Sequence, residues 1–338
     1  MKKKWYVGID VSKKTLDVAV YDSSERLKDE NHVKVFNTKE GYKEMLSWFR
    51  GRKMKLTEIL ICMEHTGIYS YECRIFLEQH NIDYSMENPL NLKRSIGISR
   101  GKNDKIDSYR IACYCYLHRD LLKLSKMPSN TLLQLKKLLN ERKQYVKQRI
   151  VCKQTISEMP KQEASKTRLR ILTLQQELES LIEEVEKEME SILMQNETIK
   201  RNYDLLSSII GIGLVNALTT IVNTENFISF SEARQYACYV CVAPFEHTSG
   251  TSINGRTKVS PIGDKQAKAD LTQAAKAAIQ FDKELNLYYN KKKQQGKQHG
   301  TIMNAVKFKL IERMFAVIKR GTPFVRMGAF SNIVTTKN

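Results

Sequence analysis

Near residue 129 this 338-residue chain changes from short β-rich runs and short helical stretches to long, charged helical sequence, and that change limits the folds open to it more than any other feature. Upstream, three β-rich runs follow one another closely: Trp5 to Val11, Thr15 to Tyr21 and His32 to Phe36, which predicts an antiparallel meander. Tyr42, Met45, Leu46 and Phe49 recur at helical spacing and predict a helix over 39–52. Glu58 to Met63 reads as a buried strand, Tyr69 to His80 as a helix and Ile82 to Met86 as a further strand. A meander followed by strands alternating with helices predicts a mixed sheet of α/β type.

Downstream, from Ser129 to Arg201, the chain becomes long, charged helical sequence. Ile171, Leu174, Leu178, Leu181, Val185 and Ile192 mark a heptad seam, and the stretch around Pro160 should separate two helices. A hairpin of antiparallel helices and an intermolecular coiled coil both fit. The acidic face, with Glu177, Glu179, Glu183, Glu184, Glu186 and Glu188, disfavours nucleic acid there. In the last unit Gly211-Ile212-Gly213 lies between two apolar helical stretches, which suits a close backbone approach to a phosphate or an ordinary helix turn. Residues 244–263, rich in Gly, Ser, Thr and Pro, are expected to form a loop. Helical stretches around 264–293 and 301–319 follow, dotted with Lys and Arg. The expected organisation is an α/β domain over 1–128, a helical coiled-coil linker over 129–201, a mainly α domain over 202–330 and a tail over 331–338.

A net charge of +19, spread along nearly the whole chain, calls for a polyanionic partner. No uninterrupted apolar run reaches the roughly 18 residues that a spanning helix needs, so no membrane partner is expected. The basic start Met1 to Lys4 is followed by Asp10 and Lys13-Lys14 rather than by a signal peptide's apolar stretch, which predicts a cytoplasmic, nucleoid-associated protein. The seven cysteines are odd in number and sit among apolar neighbours, as reduced core thiols do. Cys238-x-x-Cys241 has half the spacing of a zinc site but no second pair, and reads as packing.

Asp10 stands inside an apolar strand pattern between Ile9 and Val11, where a carboxylate is costly unless something positive faces it. Glu64 repeats the situation at the end of Ile59-Leu60-Ile61-Cys62-Met63. Asp104 and Asp107 are three apart at the opening of a helix running to Leu117, so they share a face and either converge on an ion or serve as caps. Four carboxylates without histidine favour a hard divalent cation, Mg²⁺ or Mn²⁺. Two such ions suit phosphoryl transfer, activating one oxygen and stabilising another.

The phrases Gly8-Ile9-Asp10-Val11-Ser12-Lys13, Glu64-His65-Thr66-Gly67-Ile68-Tyr69, Asn88-Pro89 and Lys102-Asn103-Asp104-Lys105-Ile106-Asp107 resemble those of the DEDD-type insertion-sequence transposases. The resemblance covers nearly the whole chain and implies a RuvC-like, ribonuclease H-like fold for the N-terminal domain. It assigns Asp10, Glu64, Asp104 and Asp107 as a metal-binding tetrad holding two Mg²⁺. Ser108 departs from the alanine that many relatives carry there. The family's C-terminal domain has an Ala-Pro followed by a Ser-Gly that supplies a nucleophile, and Ala243-Pro244 with Ser249-Gly250 matches it. The implied reaction is DNA strand exchange through a 5′-phosphoserine link, which conserves bond energy and needs no nucleotide cofactor.

A serine needs a base or metal to become nucleophilic. Carboxylate-bound ions would serve if the two domains meet; His247 is either a base or a solvated loop histidine. Arg256 and Lys258 after the serine, and Lys93, Arg94, Arg100, Lys102 and Lys105 around the aspartate pair, are candidate phosphate contacts. The resemblance also implies a bridge RNA that pairs with target and donor DNA, and strand exchange at two sites asks for a homo-oligomer, dimer or tetramer. Other readings are a RuvC-like junction-resolving nuclease using carboxylates and water, an ATP-binding protein of the actin and sugar-kinase type, and a non-catalytic DNA-binding derivative. The first would not need Ser249, the second needs a further glycine-rich phosphate loop, and the intact tetrad and serine speak against the third.

Overall fold

A computed structural model describes residues 3–23, 29–64, 67–96, 103–159, 165–249 and 253–325. The chain divides into two compact units, 1–127 and 128–338.

The first unit is built on a five-stranded sheet of β1 (Trp5–Val11), β2 (Thr15–Val20), β3 (His32–Phe36), β4 (Ile59–Glu64) and β5 (Asp83–Glu87), in the order β3-β2-β1-β4-β5. β1, β2 and β3 form the antiparallel meander, while β4 joins β1 and β5 joins β4 in parallel. Helices α1 (Lys39–Gly51), α2 (Tyr71–Gln79), α3 (Pro89–Ile96) and α4 (Asp104–Leu117) complete it.

The two-residue alternation of the strands sorts their side chains onto two faces. Val7, Ile9 and Val11 of β1, Leu16 and Val18 of β2, and Ile59, Ile61 and Met63 of β4 enter one core with Tyr42, Met45 and Phe49 of α1 and Phe76 and Leu77 of α2. On the opposite face Leu60 and Cys62 meet Ile111, Tyr114 and Cys115 of α4. The alternation therefore sends Asp10, Asp17 and Glu64 to the α4 face. Gly8 lets α4 lie directly on β1: a Cβ there would stand 2.1 Å from the Ser108 carbonyl oxygen and 2.2 Å from the Ala112 nitrogen.

In the second unit α5 (Asn130–Glu158) and α6 (Lys166–Met194) form an antiparallel hairpin, with Arg142–Glu186 at 2.6 Å and Lys153–Glu179 at 3.5 Å. The buried seam of α6 is Leu178, Ile182, Val185, Met189 and Leu193, not the one expected. Only Leu178 and Val185 are shared, and Leu174 is 52% exposed. The helix carries two overlapping apolar registers, and α5 covers the one flanked by Glu179 and Glu186, whose partners are its own cations.

The root of this hairpin shares a core with α7 (Glu197–Ser207), α8 (Leu214–Asn223), α9 (Ala233–Tyr239), α10 (Lys265–Phe281), α11 (Lys283–Gln294) and α12 (His299–Arg320). The helical stretch expected over 264–293 is interrupted at Asp282, whose Oδ1 accepts from the Glu284 and Leu285 amides and so caps a new helix. Gly211, at φ +93°, belongs to packing rather than phosphate binding, because a Cβ there would meet the Ala274 carbonyl oxygen of α10 at 2.5 Å.

The stretch 244–263 is not a plain loop. It contains an antiparallel hairpin of β6 (Pro244–Ser249) and β7 (Ile253–Val259), irregular between Phe245 and His247. Phe245, Ile253 and Val259 suit a strand. All seven cysteines are free thiols, five of them buried. Among the described residues no helix is long and apolar enough to cross a membrane.

Candidate active site

Parallel pairing of β1 with β4 places Ile9 beside Met63, so Asp10 and Glu64 are the next residues on two adjacent strands and end at the same edge. Antiparallel pairing with β2 puts Asp17 directly opposite Asp10. Helix α4 starts beside these acids because Gly8 admits it. Asn103 caps that helix, accepting from the Lys105 amide at 3.0 Å, which leaves Asp104 and Asp107 free of the capping role. Asp107 accepts from Arg110 at 2.9 Å.

Asp10 carries the electrostatic signature of this crowding. Burial pushes its carboxyl up to about 6, and Asp104, Glu64, Asp107 and Asp17 each add to the rise. Like charges gathered around a half-buried carboxyl form a site that a cation would relieve. Among the described residues no three His, Cys, Asp or Glu side chains are grouped as the ligands of an ion. The tetrad residues are neighbours rather than a closed ligand shell. Their donor chemistry, hard carboxylate oxygen, fits Mg²⁺ or Mn²⁺.

An open cleft of about 460 Å³ adjoins the acids, lined by Asp17, His32, Lys34, Asn103, Asp104 and Lys105. Asp17 is the residue that sequence reasoning passed over. It is 4% exposed and holds His32 Nε2 at 2.9 Å and Lys34 Nζ at 3.1 Å. The available signal was the alternation of Thr15 to Val20, which puts an acid on an inward face.

Of the expected cations, Lys105 is paired with Asp29. Lys93 and Arg94 belong to α3, but their side chains lie outside what is described, and Arg100 and Lys102 lie outside the described residues. Ser249 ends β6 at the tip of the β6–β7 hairpin, and Arg256 and Lys258 are on β7. Lys258 is exposed, whereas the side chains of His247, Ser249 and Arg256 lie outside what is described.

Two family models match the chain. One, described as a transposase of the DEDD IS110 type, covers residues 7–162, and the other, described as a transposase of the IS116/IS110/IS902 family, covers residues 203–290. Together they span both units. The chain is 25% identical over 328 residues to the pilin gene-inverting proteins of Moraxella bovis and Moraxella lacunata, covering 95% of this chain and 98% of each relative. It is also 30% identical over 118 residues to an uncharacterised 43.6 kDa protein of the insertion element IS110 in Streptomyces coelicolor, 35% of this chain and 29% of that protein.

Proposed function

Because the chain belongs to the IS110-type transposases, enzymes that recombine DNA, we propose that it cuts and rejoins the ends of its own mobile element through a divalent-metal carboxylate site and a covalent serine link. The observation that carries the metal reading is Asp10, half-buried and crowded by Glu64, Asp104 and Asp107. These four residues, on a RuvC-like sheet, would hold Mg²⁺ or Mn²⁺. Such ions, when bound, supply charge stabilisation for the oxygens around phosphorus.

Ser249 is the nucleophile. Its Oγ forms a bond to phosphorus as the bond to the 3′ oxygen breaks, the hydroxyl proton passes to a base, and the leaving oxygen takes up a proton as a 3′ hydroxyl. A 3′ hydroxyl of the exchanging strand then attacks the 5′-phosphoserine and releases Ser249. One phosphoester replaces another throughout, so no nucleotide is consumed. Two relatives are named for inverting a pilin gene, an outcome that requires every cut to be resealed, and this supports conservative exchange over hydrolysis.

Lys93, Arg94, Arg100, Lys102, Lys105, Arg256 and Lys258 serve as backbone phosphate contacts in this reading, and a bridge RNA supplies sequence choice. Ile150, Val151, Leu169 and Leu174, exposed on the α5–α6 hairpin, support assembly into a homo-oligomer.

The test is to incubate the protein with its element's flanking DNA, denature, and look for DNA attached to protein. An adduct present with wild type and absent with Ser249→Ala is expected. Metal-dependent cutting without any adduct would replace this mechanism with water-using hydrolysis.

A further inference from the structure

Lys307 of α12 is 5% exposed. Its Nζ donates to Thr272 Oγ1 of α10 at 3.1 Å, and no carboxylate lies within salt-bridge distance of it among the described residues. The charge that acts on it is a second cation, Lys268, one turn before Thr272. Thr272 in turn donates to the Lys268 carbonyl oxygen at 2.8 Å, which fixes the hydroxyl so that its lone pair faces the ammonium. An ammonium has three donors, and this one is given a single neutral acceptor. Removing a lysine from water without an anion is costly, and chains usually avoid it by pairing or by exposure.

The arrangement therefore resembles one half of an ion pair. Two cations and a hydroxyl converge where α10 meets α12, and both Thr272 and Lys268 are only half-buried, so the group lies under a solvent-facing turn rather than deep in the core. Burial, with Lys268 adding to it, pulls Lys307 down to about 8, which leaves it mostly charged at neutral pH. The surrounding sequence favours a polymeric anion, since residues 264–320 contain thirteen Lys and Arg against five Asp and Glu.

We propose that Lys307, Thr272 and Lys268 form a seat for a backbone phosphate of DNA on the second unit, made by residues other than the carboxylates and Ser249. The seat rests on the chain's being a DNA-acting transposase and not on the metal or serine chemistry. It positions the duplex and reads no sequence.

The test uses full-length protein with Lys307→Met and a fluorescent DNA duplex of random sequence, titrated over a range of salt. Lys307→Met should bind the duplex about 5- to 10-fold more weakly, with the slope of log affinity against log salt reduced by about 1. Without DNA the same variant should melt at a higher temperature than wild type, because an uncompensated buried charge has been removed. A purely structural lysine predicts a lower melting temperature and an unchanged salt slope. Unchanged duplex affinity overturns the proposal whatever happens to stability, as does a loss confined to single-stranded RNA with duplex binding intact. Should Lys307→Met fail to accumulate, Lys268→Gln carries the test: about threefold weaker binding or more supports the seat, and wild-type binding overturns it. Loss of serine adduct formation is not required for either result, so the two readings fail independently.

Discussion

Asp10 in the sheet unit and Lys307 in the helical unit have the same defect with opposite sign. Each is a charge withdrawn from water beside others of its own kind: Asp10 is pushed up to about 6 among Asp104, Glu64, Asp107 and Asp17, and Lys307 is pulled down to about 8 beside Lys268. Neighbouring charges show the alternative. Asp17, as buried as Lys307, is given His32 and Lys34, and Asp282 is given Arg313 at 2.7 Å. Among the described residues Asp17 and Asp282 are given cations, whereas Asp10 and Lys307 have no counter-charge, which is what the proposed metal and phosphate would supply.

The comparison breaks first on activity. Asp10→Ala should lower recombination by on the order of 10³-fold or more while the protein stays folded, measured as product formed from element-end DNA. Glu64→Ala, Asp104→Ala and Asp107→Ala should do likewise, and near wild-type recombination by a folded variant would remove that residue from the site. The next largest effect is on stability. Gly8→Val should cost about 2–4 kcal/mol in denaturant unfolding, since its side chain would force α4 off β1 and displace Asp104 and Asp107 together. A variant of wild-type stability would mean that α4 does not lie as closely on β1 as the Ser108 and Ala112 contacts require.

Asn103→Ala should cost about 1 kcal/mol through loss of the cap on α4, with a fall in activity if the first turn must hold both aspartates still. The smallest effects are two opposed pH slopes. In chelator, folded Asp10 keeps a proton between pH about 4 and 6 that the unfolded chain has lost, so its contribution makes stability fall as pH rises through that window. Folded Lys307 gives up a proton between pH about 8 and 10.5 that the unfolded chain still holds, so its contribution makes stability rise with pH there. Asp10→Asn should flatten the first slope and Lys307→Met the second, each read by denaturant unfolding across pH. A slope that survives its substitution belongs to another group.

The meander, the parallel additions and the helix opening at Asp104 were legible because strand alternation, helical spacing and cap chemistry are local properties. Asp10 and Glu64 stood out because acids in apolar runs violate the pattern around them, and Asp104 and Asp107 because they are three apart at the opening of a helix. The β6–β7 hairpin was hidden because Gly, Ser and Thr dominate the composition of a short stretch. The α6 seam was misplaced because a helix with two apolar registers does not reveal which of them its partner will cover.

By itself, then, the sequence determined the meander and the strand-helix alternation of the first unit, the family and the four candidate acids, since each is encoded within a few neighbouring residues. Only the tertiary structure decided that Gly8 seats α4 on β1, that Asp17 faces Asp10 across a strand pair, and that Lys307 lies under α10 with no anion among the described residues to meet it. Such facts depend on register and on contacts between separate elements, and no local pattern contains them.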